Sequence, residues 1–393
     1  MEITKTQATL AARPKLELSD IFRKFRPWLK PLEKIEAKVV SDIINCRTSV
    51  LGGHRLKCDT CDHEEFSYNS CRNRHCPKCQ FLAQAKWVEA RKAELLPVEY
   101  FHMVFTVPHE LNPIIWANKK ICFDLLFRAM AETLKEVGER KLKAKLGFTA
   151  VLHTWSQTLN QHAHIHAIVP GGGISQDGSK WISAKPGYFL PIKILSKVFR
   201  GKYLSFLEDA FSKLKFENEN ADFGRFKKCL IEAAHQEWVV YAKAPFAGPT
   251  QVLEYLGNYT HRIALSNSRI EAVSDHHVTF RYKDRADQNQ NKSMRLSAQE
   301  FIRRFLSHVL PNKFVRIRHF GFLGSRQKKK HIETARNCLM VKSRIEIVKG
   351  EDYKQLLLRL TGHDVTTCPS CKAGKLIEVG IILAHQRLWS DTS

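Results

Sequence analysis

The sequence lacks any long apolar run. No stretch of its 393 residues approaches the roughly 20 apolar residues that a membrane-spanning helix needs, and the polar N-terminus lacks the apolar core of a signal peptide. A GxxxxGKS/T phosphate-binding loop is also missing, as are internal repeats and low-complexity tracts. These absences argue against a membrane protein, a secreted protein and a P-loop motor, so we expect a cytoplasmic globular protein.

Acidic residues are scarce beside basic ones. Lys and Arg number 63 and Asp and Glu number 39, which gives a net charge of +24. Such an excess predicts a polyanionic partner, and nucleic acid is favoured over a membrane surface because no basic amphipathic helix dominates. The alternative is a basic protein that its charge merely keeps in solution.

Apolar periodicity predicts both helices and strands. Helical spacing covers Ile35 to Ile43 and residues 81–96 and 115–137, whereas Phe101–Val107, "GFTAVLHTWSQTL" and "HAHIHAIVP" have the pattern of strands. The last two are close in sequence and predict an antiparallel pair. We therefore predict an α+β fold, an antiparallel sheet layered with helices. The predicted domains are a loose tail over 1–20, a helical cysteine-rich domain over 21–96, a central domain over 97–310, and a basic region over 311–393.

Cysteines are concentrated in a segment that is poor in aliphatic residues. Cys58-x-x-Cys61 and Cys76-x-x-Cys79 are separated by fourteen residues, a spacing typical of one tetrahedral Zn²⁺ site. Cys71 and His75 lie between the pairs; they are alternative ligands, members of a second site, or donors that hydrogen-bond to the ligands. The second pattern, Cys368-x-x-Cys371, has no obvious partner pair. His363 and His385 are candidates to complete it.

Basic residues lie between the ligands of the cysteine segment. We expect Arg72, Arg74 and Lys78 to project outward and contact phosphates, although a purely architectural zinc module is the alternative.

Three histidines alternate along "NQHAHIHAIVPGGG". In a strand, His162, His164 and His166 share one face, while Ala163 and Ile165 face the opposite layer. Imidazoles two residues apart on rigid backbone can bind one divalent ion and leave its other positions open for phosphate oxygens. The alternative is a polar strand face on which histidine is incidental.

Two tyrosines occur four residues apart in "YLGNYTHR". On a helix Tyr255 and Tyr259 share a face, which fits either a core stripe with Val252 and Leu256 or a functional pair. Their polar neighbours favour the second reading, since a tyrosine hydroxyl can be a covalent nucleophile toward a phosphodiester.

These motifs together resemble a known family. Histidine–hydrophobic–histidine on a strand followed by Tyr-x-x-x-Tyr is similar to the HUH single-strand endonucleases. The order of cysteine module, "FTVPHEL", "HAHIHAIVPGGG", "YLGNYTHR" and "FLSHVLPNKFVRIRHFGFL" resembles their rolling-circle insertion-sequence transposases, the two-tyrosine, insertion-sequence-ninety-one type. The resemblance runs from about residue 20 to residue 340.

The resemblance implies a fold and a chemistry. It implies a palm or RRM-like antiparallel sheet with flanking helices, preceded by a small helical zinc-binding domain. His164 and His166 would bind catalytic Mg²⁺ or Mn²⁺, with Gln157 or His162 as third ligand. Tyr255 and Tyr259 would be nucleophiles that cut and rejoin single-stranded DNA through a 5′-phosphotyrosine. We expect the partners to be element ends and host replication or helicase machinery, in a bacterial, nucleoid-associated setting; the oligomeric state stays open.

The segment "FVRIRHFGFLGSRQKKKH" interleaves cations with aromatic residues. This pattern predicts single-strand contacts by Arg316 and Arg318, together with Arg262 after the tyrosine pair, although an ordinary strand with a charged turn fits equally. Two alternative functions share these features. One is a replication initiator or plasmid relaxase of the same chemistry, and the other is a non-catalytic zinc-dependent DNA-binding protein.

Overall fold

The computed structural model describes residues 15–29, 31–216, 222–243, 257, 260–284, 286–341 and 351–385. Over these residues the strands are β1 Gly53–Cys58, β2 Glu64–Tyr68, β3 Tyr100–Thr106, β4 Ala144–Lys145, β5 Gly147–Trp155, β6 Gln161–Pro170, β7 Gly172–Ser175, β8 Trp181–Ser183, β9 Val240–Lys243, β10 Ile270–Val273, β11 His277–Asp284, β12 Gln290–Ser297, β13 Ile317–Gly321 and β14 Leu376–Ile382. The α-helices there are α1 Leu18–Lys24, α2 Lys34–Asn45, α3 Gln80–Lys92, α4 Asn112–Ala117, α5 Lys119–Leu142, α6 Ile192–Asp209, α7 Phe223–His235, α8 Ala298–Ser307, α9 Lys328–Cys338 and α10 Tyr353–Thr361.

The chain divides into two compact units that are not contiguous in sequence. One combines the described parts of 1–83, 265–303 and 348–393, and the other combines those of 84–264 and 304–347. The domains predicted from the sequence, in contrast, were continuous segments.

The first unit contains two small antiparallel sheets, the helices α1, α2 and α10, most of α8 and the start of α3. The sheets have the strand orders β14-β1-β2 and β10-β11-β12. Helix α1 begins with a capping box in which the backbone N–H of Glu17 donates to the Asp20 carboxylate, 2.9 Å away. Its buried residues include Ile21 and Phe22, and α2, which contacts α1, buries Val39 and Ile43. The predicted helical period of this segment is thus confirmed.

The second unit is built on a five-stranded antiparallel sheet with the order β13-β5-β6-β3-β9. The predicted antiparallel pair is β5 and β6, and it lies at the centre of this sheet. Alternate residues of β6, among them Ile165 and Val169, join a hydrophobic core with Phe105 of β3, Phe127 of α5 and Phe199 of α6. One face of the sheet is therefore the core face, covered by helices. This arrangement confirms the predicted α+β class.

The glycines after β6 let neighbouring strands approach closely. A Cβ on Gly172, whose φ is +156°, would lie 2.5 Å from the carbonyl oxygen of Ile182, and one on Gly173 would lie 2.5 Å from that of Lys145. The glycine run thus accommodates protein backbone in β8 and β4. None of the described helices is long and apolar enough to span a bilayer.

Candidate metal centres and the histidine face

The second face of the five-stranded sheet carries the alternating histidines. His164 and His166 of β6 point away from the core face, as the strand period predicted, because Ala163, Ile165 and Ala167 all belong to the core. Both imidazoles are nevertheless buried, at 9% and 6% exposure. A pair of buried, adjacent imidazoles needs partners, and a metal ion is one that would satisfy both.

A third imidazole comes from the neighbouring strand. His153 of β5 pairs directly opposite His164, and its side chain is 2% exposed. One ring nitrogen from each of His153, His164 and His166 lies within 4.8 Å of the others. Ligand bonds of about 2.0–2.4 Å to a shared ion bring nitrogens within about 4.8 Å of one another, so the three can hold a single cation.

The expected third ligands occupy other positions. Gln157 lies in the turn between β5 and β6, outside any strand, and His162 is half-exposed at the start of β6, with its ring centroid 4.8 Å from that of His164. The structure brings His153 into the cluster instead of these residues. Sequence reasoning missed His153 because its partner lies eleven residues away on another strand.

Hydrogen bonds of His164 and His166 determine which ring nitrogen of each can bind a metal. Nδ1 of His164 donates to the carbonyl oxygen of His162 at 2.8 Å, which leaves Nε2 as the ligand atom. Nδ1 of His166 lies 2.8 Å from Nε2 of His102, which is on β3 and shares the histidine face. Donation from His166 to His102 makes Nε2 the candidate ligand atom of His166 in the same way. His102 thus orients a candidate ligand from outside the cluster.

Burial keeps the imidazoles of His166 and His102 neutral. Desolvation, with the nearby charges of the other histidines and Arg262, holds the pKa of His166 well below its usual range. Burial and the charge of Lys243 lower the pKa of His102 to about 4. Neutral imidazole is the form that binds a metal, so the lowered pKa of His166 favours its role as a ligand.

The structure describes part of the tyrosine-containing stretch. Tyr255 and Tyr259 themselves lie outside the described residues, but Gly257 and Thr260 are helical. A Cβ on Gly257 would lie 2.8 Å from a Val88 methyl and 3.0 Å from Nε2 of Gln84, so α3 approaches this stretch too closely for a larger residue. Arg262, three residues after Tyr259, is close enough to His166 to lower its pKa. Gly257 therefore packs against α3, and Arg262 lies within electrostatic reach of the histidine face.

Arg316 anchors the end of that stretch. Its guanidinium donates from Nη2 to the carbonyl oxygen of Thr260 at 2.7 Å and from Nη1 to that of Arg262 at 3.2 Å. The side chain is only 7% exposed. Arg316 was expected to contact DNA; instead it is buried and binds two backbone carbonyls, those of the helical Thr260 and of Arg262 just beyond it.

The other expected DNA contacts differ in their availability. Arg318 pairs with Asp124 and stacks 4.2 Å above the Phe127 ring, and Lys78 pairs with Glu17 at 2.7 Å. Arg74 is half-buried, and desolvation lowers its pKa. Arg72 and Arg262 are exposed. Of the six, these two are the exposed ones, so their side chains are the best placed to reach an external phosphate.

Cysteines form two further groups among the residues that the structure describes. One contains Cys46, Cys71, Cys76 and Cys79, and the other contains Cys58, Cys61, Cys368 and Cys371. All eight are free thiols. In the first group Sγ of Cys79 lies 3.5 Å from that of Cys46 and 3.6 Å from that of Cys71. Four thiolates around Zn²⁺ are about 3.8 Å apart when each bond is about 2.3 Å, so this group fits zinc.

The single four-cysteine site expected from the sequence is therefore wrong. Cys58 and Cys61 do not share a group with Cys76 and Cys79, and the first group takes Cys71 and the unforeseen Cys46 instead. His75 belongs to neither group; its backbone N–H donates to Oδ1 of Asn73 at 2.9 Å. Hydrogen bonds from the Cys71 and Cys76 thiols lower the pKa of Cys46 to about 7, whereas hydrogen bonding with Cys46 raises the pKa of Cys71 and of Cys76.

Fold and sites together define an α+β protein with a three-histidine sheet face and two four-cysteine groups that could each hold a metal ion. Two family models match the chain. "Transposase zinc-binding domain" covers residues 18–107, which include every ligand of the first cysteine group, and "Putative transposase" covers residues 147–331, which include the three histidines. Among solved structures, the conjugative relaxase TrwC in complex with oriT DNA, metal-bound, aligns with a TM-score of 0.24 and 11% identity over 42% of this chain and 71% of its own.

Curated relatives agree with the family models. "Putative transposase y4qJ" of Sinorhizobium fredii is 45% identical over 97% of this chain and 100% of its own length. "Transposase for insertion sequence element IS801" of Pseudomonas savastanoi pv. phaseolicola is 26% identical over 79% of this chain and 76% of its own. The chain belongs to this transposase family, the insertion-sequence-ninety-one type, and the resemblance seen in its motifs is confirmed.

Proposed function

We propose that this transposase cleaves and rejoins single-stranded DNA by attack of a tyrosine hydroxyl on a phosphodiester. The observation that supports it best is the buried cluster of His153, His164 and His166. A divalent cation held by these nitrogens would act as a Lewis acid on the scissile phosphate. The cluster is built on paired central strands, so its geometry is rigid before DNA arrives.

The covalent step assigns Tyr255 and Tyr259 as nucleophiles. The tyrosine oxygen forms a bond to phosphorus and the bond from phosphorus to the 3′-oxygen breaks. The products are a 5′-phosphotyrosine and a free 3′-hydroxyl, which takes up the proton that the phenol gives up. In the rejoining step, a 3′-hydroxyl attacks the phosphotyrosine and releases the phenol. Two tyrosines allow one to hold a cut end while the other makes the second cut.

The remaining residues position the strand. Arg262 is exposed and close to His166, so it is suited to bind the phosphate that enters the histidine face. Arg72, next to Cys71 of the first cysteine group, is exposed and suited to bind a DNA phosphate. Because the sequence has no P-loop motif, we expect host replication or helicase machinery on the nucleoid to expose the single strand.

A labelled single-stranded oligonucleotide that carries the element end tests this function. We expect a covalent protein–DNA adduct that forms only with a divalent cation. Three nitrogen ligands suit a transition ion better than Mg²⁺, which prefers oxygen, so Mn²⁺ should support the adduct at lower concentration than Mg²⁺. An adduct that forms equally well in excess chelator would contradict the proposal. DNA binding without any adduct, with every end tested, would favour a non-catalytic zinc protein.

Arg316 should affect this reaction through position alone. The variant Arg316→Lys keeps the positive charge, but an ammonium group cannot bind both carbonyls as the guanidinium does. We therefore expect the rate of adduct formation to fall about 10–100-fold, because displacing a reacting group by about 1 Å commonly has an effect of this size. Affinity for DNA and for Mn²⁺ should stay unchanged, because Arg316 is buried and binds neither. The matched control is Arg318→Lys, two residues further along the chain in β13 and paired with Asp124. Equal losses in both variants, or a parallel loss of DNA affinity at 316, would refute the positioning role.

A further inference from the structure

The second cysteine group takes its members from distant parts of the chain. Sγ of Cys58 lies 3.7 Å from Sγ of Cys371, and Sγ of Cys61 lies 3.8 Å from Sγ of Cys368. Within each pair the two residues are more than 300 positions apart, at separations of 313 and 307. These distances exclude disulfides, whose sulfurs are about 2.05 Å apart, and match the roughly 3.8 Å expected between thiolates of one tetrahedral zinc site.

The backbone around the group is shaped for sulfur ligands. The N–H of Thr60 donates to Sγ of Cys58 at 3.4 Å, and the N–H of Gly374 donates to Sγ of Cys371 at 3.3 Å. A Cβ on Gly374 would lie 2.5 Å from Sγ of Cys58, so this knuckle can close on its partner only with glycine at that position. Both Cys-x-x-Cys segments therefore present their thiolates toward a common centre.

We infer that Cys58, Cys61, Cys368 and Cys371 bind a second structural Zn²⁺. Four thiolates in tetrahedral reach select zinc over Mg²⁺ or Mn²⁺, which prefer oxygen. The site extends beyond the zinc-binding domain of the family, because that match ends at residue 107 and the other at residue 331, so neither includes Cys368 or Cys371. The inference is independent of the proposed DNA chemistry.

The C-terminal segment also contributes strand β14 to the sheet of β1 and β2, which we call the N-terminal module. Strand β14 pairs antiparallel with β1 from Gly53–Ile382 to Cys58–Leu376. Next to the metal group, the N–H of Asp59 donates to the carbonyl of Lys375 at 3.0 Å, and the N–H of Lys375 donates to Oδ1 of Asp59 at 2.8 Å. The metal site and the strand pairing therefore join the same two pieces of chain.

This joining makes the N-terminal module dependent on the last part of the chain. Without β14, β1 and β2 form a two-stranded hairpin, which is marginally stable on its own, and the metal group has two ligands. Because the binding energy of a structural zinc is folding energy, the module is complete only when residues 368–382 are present. A transposase that stops short of them keeps its histidine face but lacks a finished zinc module.

Cobalt substitution of the full-length protein tests the site. Thiolate-to-cobalt charge-transfer absorption counts only sulfur-bound ions and therefore ignores the histidine cluster. The wild-type protein should show absorption for eight thiolate bonds, four from each group. The double variant Cys368→Ser/Cys371→Ser should show half of it. Cys338→Ser is the matched control, since Cys338 is a free thiol outside both groups, and it should keep the full intensity.

Hydrogen exchange gives a second readout. In the double variant, amides of β1 and β2 should lose protection while those of β5 and β6 keep theirs. If the cobalt spectrum of the wild-type protein showed only four thiolate bonds, the inference would be overturned before any variant was measured. Full intensity in the double variant, or a chemically detected disulfide within the group, would overturn it as well.

Discussion

Replacing His153 by alanine should reduce metal-dependent strand cleavage about 100-fold or more. The change removes one of three nitrogens that can hold the cation, and even ligand-orienting neighbours of a metal commonly cost 10–100-fold in affinity or activity when removed. Apparent affinity for Mn²⁺, measured from the cation dependence of adduct formation, should fall in parallel. Both cysteine groups should keep their zinc, since His153 contributes to neither.

The matched controls are His162→Ala and Gln157→Ala. His162 lies on the same strand as two members of the cluster, and Gln157 lies in the adjoining turn. Each variant should retain cleavage within about fivefold of wild type, the range expected when no ligand is lost. If either control abolished cleavage and His153→Ala did not, the assignment of His153 as third ligand would be wrong.

The histidine strand could be predicted from sequence, but its third member could not. Alternation alone places His164 and His166 on one face. Counting back from the Trp155–Gln161 pair would set His153 opposite Ala163, on the core side. A register shift between His153 and Trp155 moves His153 opposite His164 instead. A β-bulge of one residue changes the face of every residue beyond it, and the sequence contains no mark of where it occurs.

The cysteine pattern could be recognised, but its pairing was predicted incorrectly for a geometric reason. Cys58 and Cys61 lie at the turn between β1 and β2, whereas Cys71, Cys76 and Cys79 follow the opposite end of that hairpin. Five residues of strand separate the two ends by about 17 Å, far more than one zinc site can bridge. Spacing along the chain suggested one site because it carries no information about this separation in space. The hairpin separates the pairs and sends each to a partner that spacing could not reveal.

Removing both proposed nucleophiles should have the largest effect. The double variant Tyr255→Phe/Tyr259→Phe keeps both rings and removes only the hydroxyls, so folding, zinc content and DNA affinity should be preserved. Adduct formation should fall at least about 10³-fold, as expected when a covalent nucleophile is lost. Each single variant should still form adduct on a short oligonucleotide through the remaining tyrosine. In cells, each should fail at transposition, because one nucleophile cannot complete two cuts.

Tyr241→Phe is the control that makes this test specific. Tyr241 of β9 is an exposed tyrosine that shares the sheet face of His166, since both residues pair with Val104 of β3. Its hydroxyl is therefore a competitor for the same phosphate. If Tyr241→Phe abolished the adduct and the double variant kept it, the nucleophile would be on the sheet and not in the "YLGNYTHR" stretch. If both single variants transposed at the wild-type rate, the two tyrosines would not be successive nucleophiles. The histidine cluster would survive either result, because its assignment depends on imidazole geometry and not on which phenol it serves.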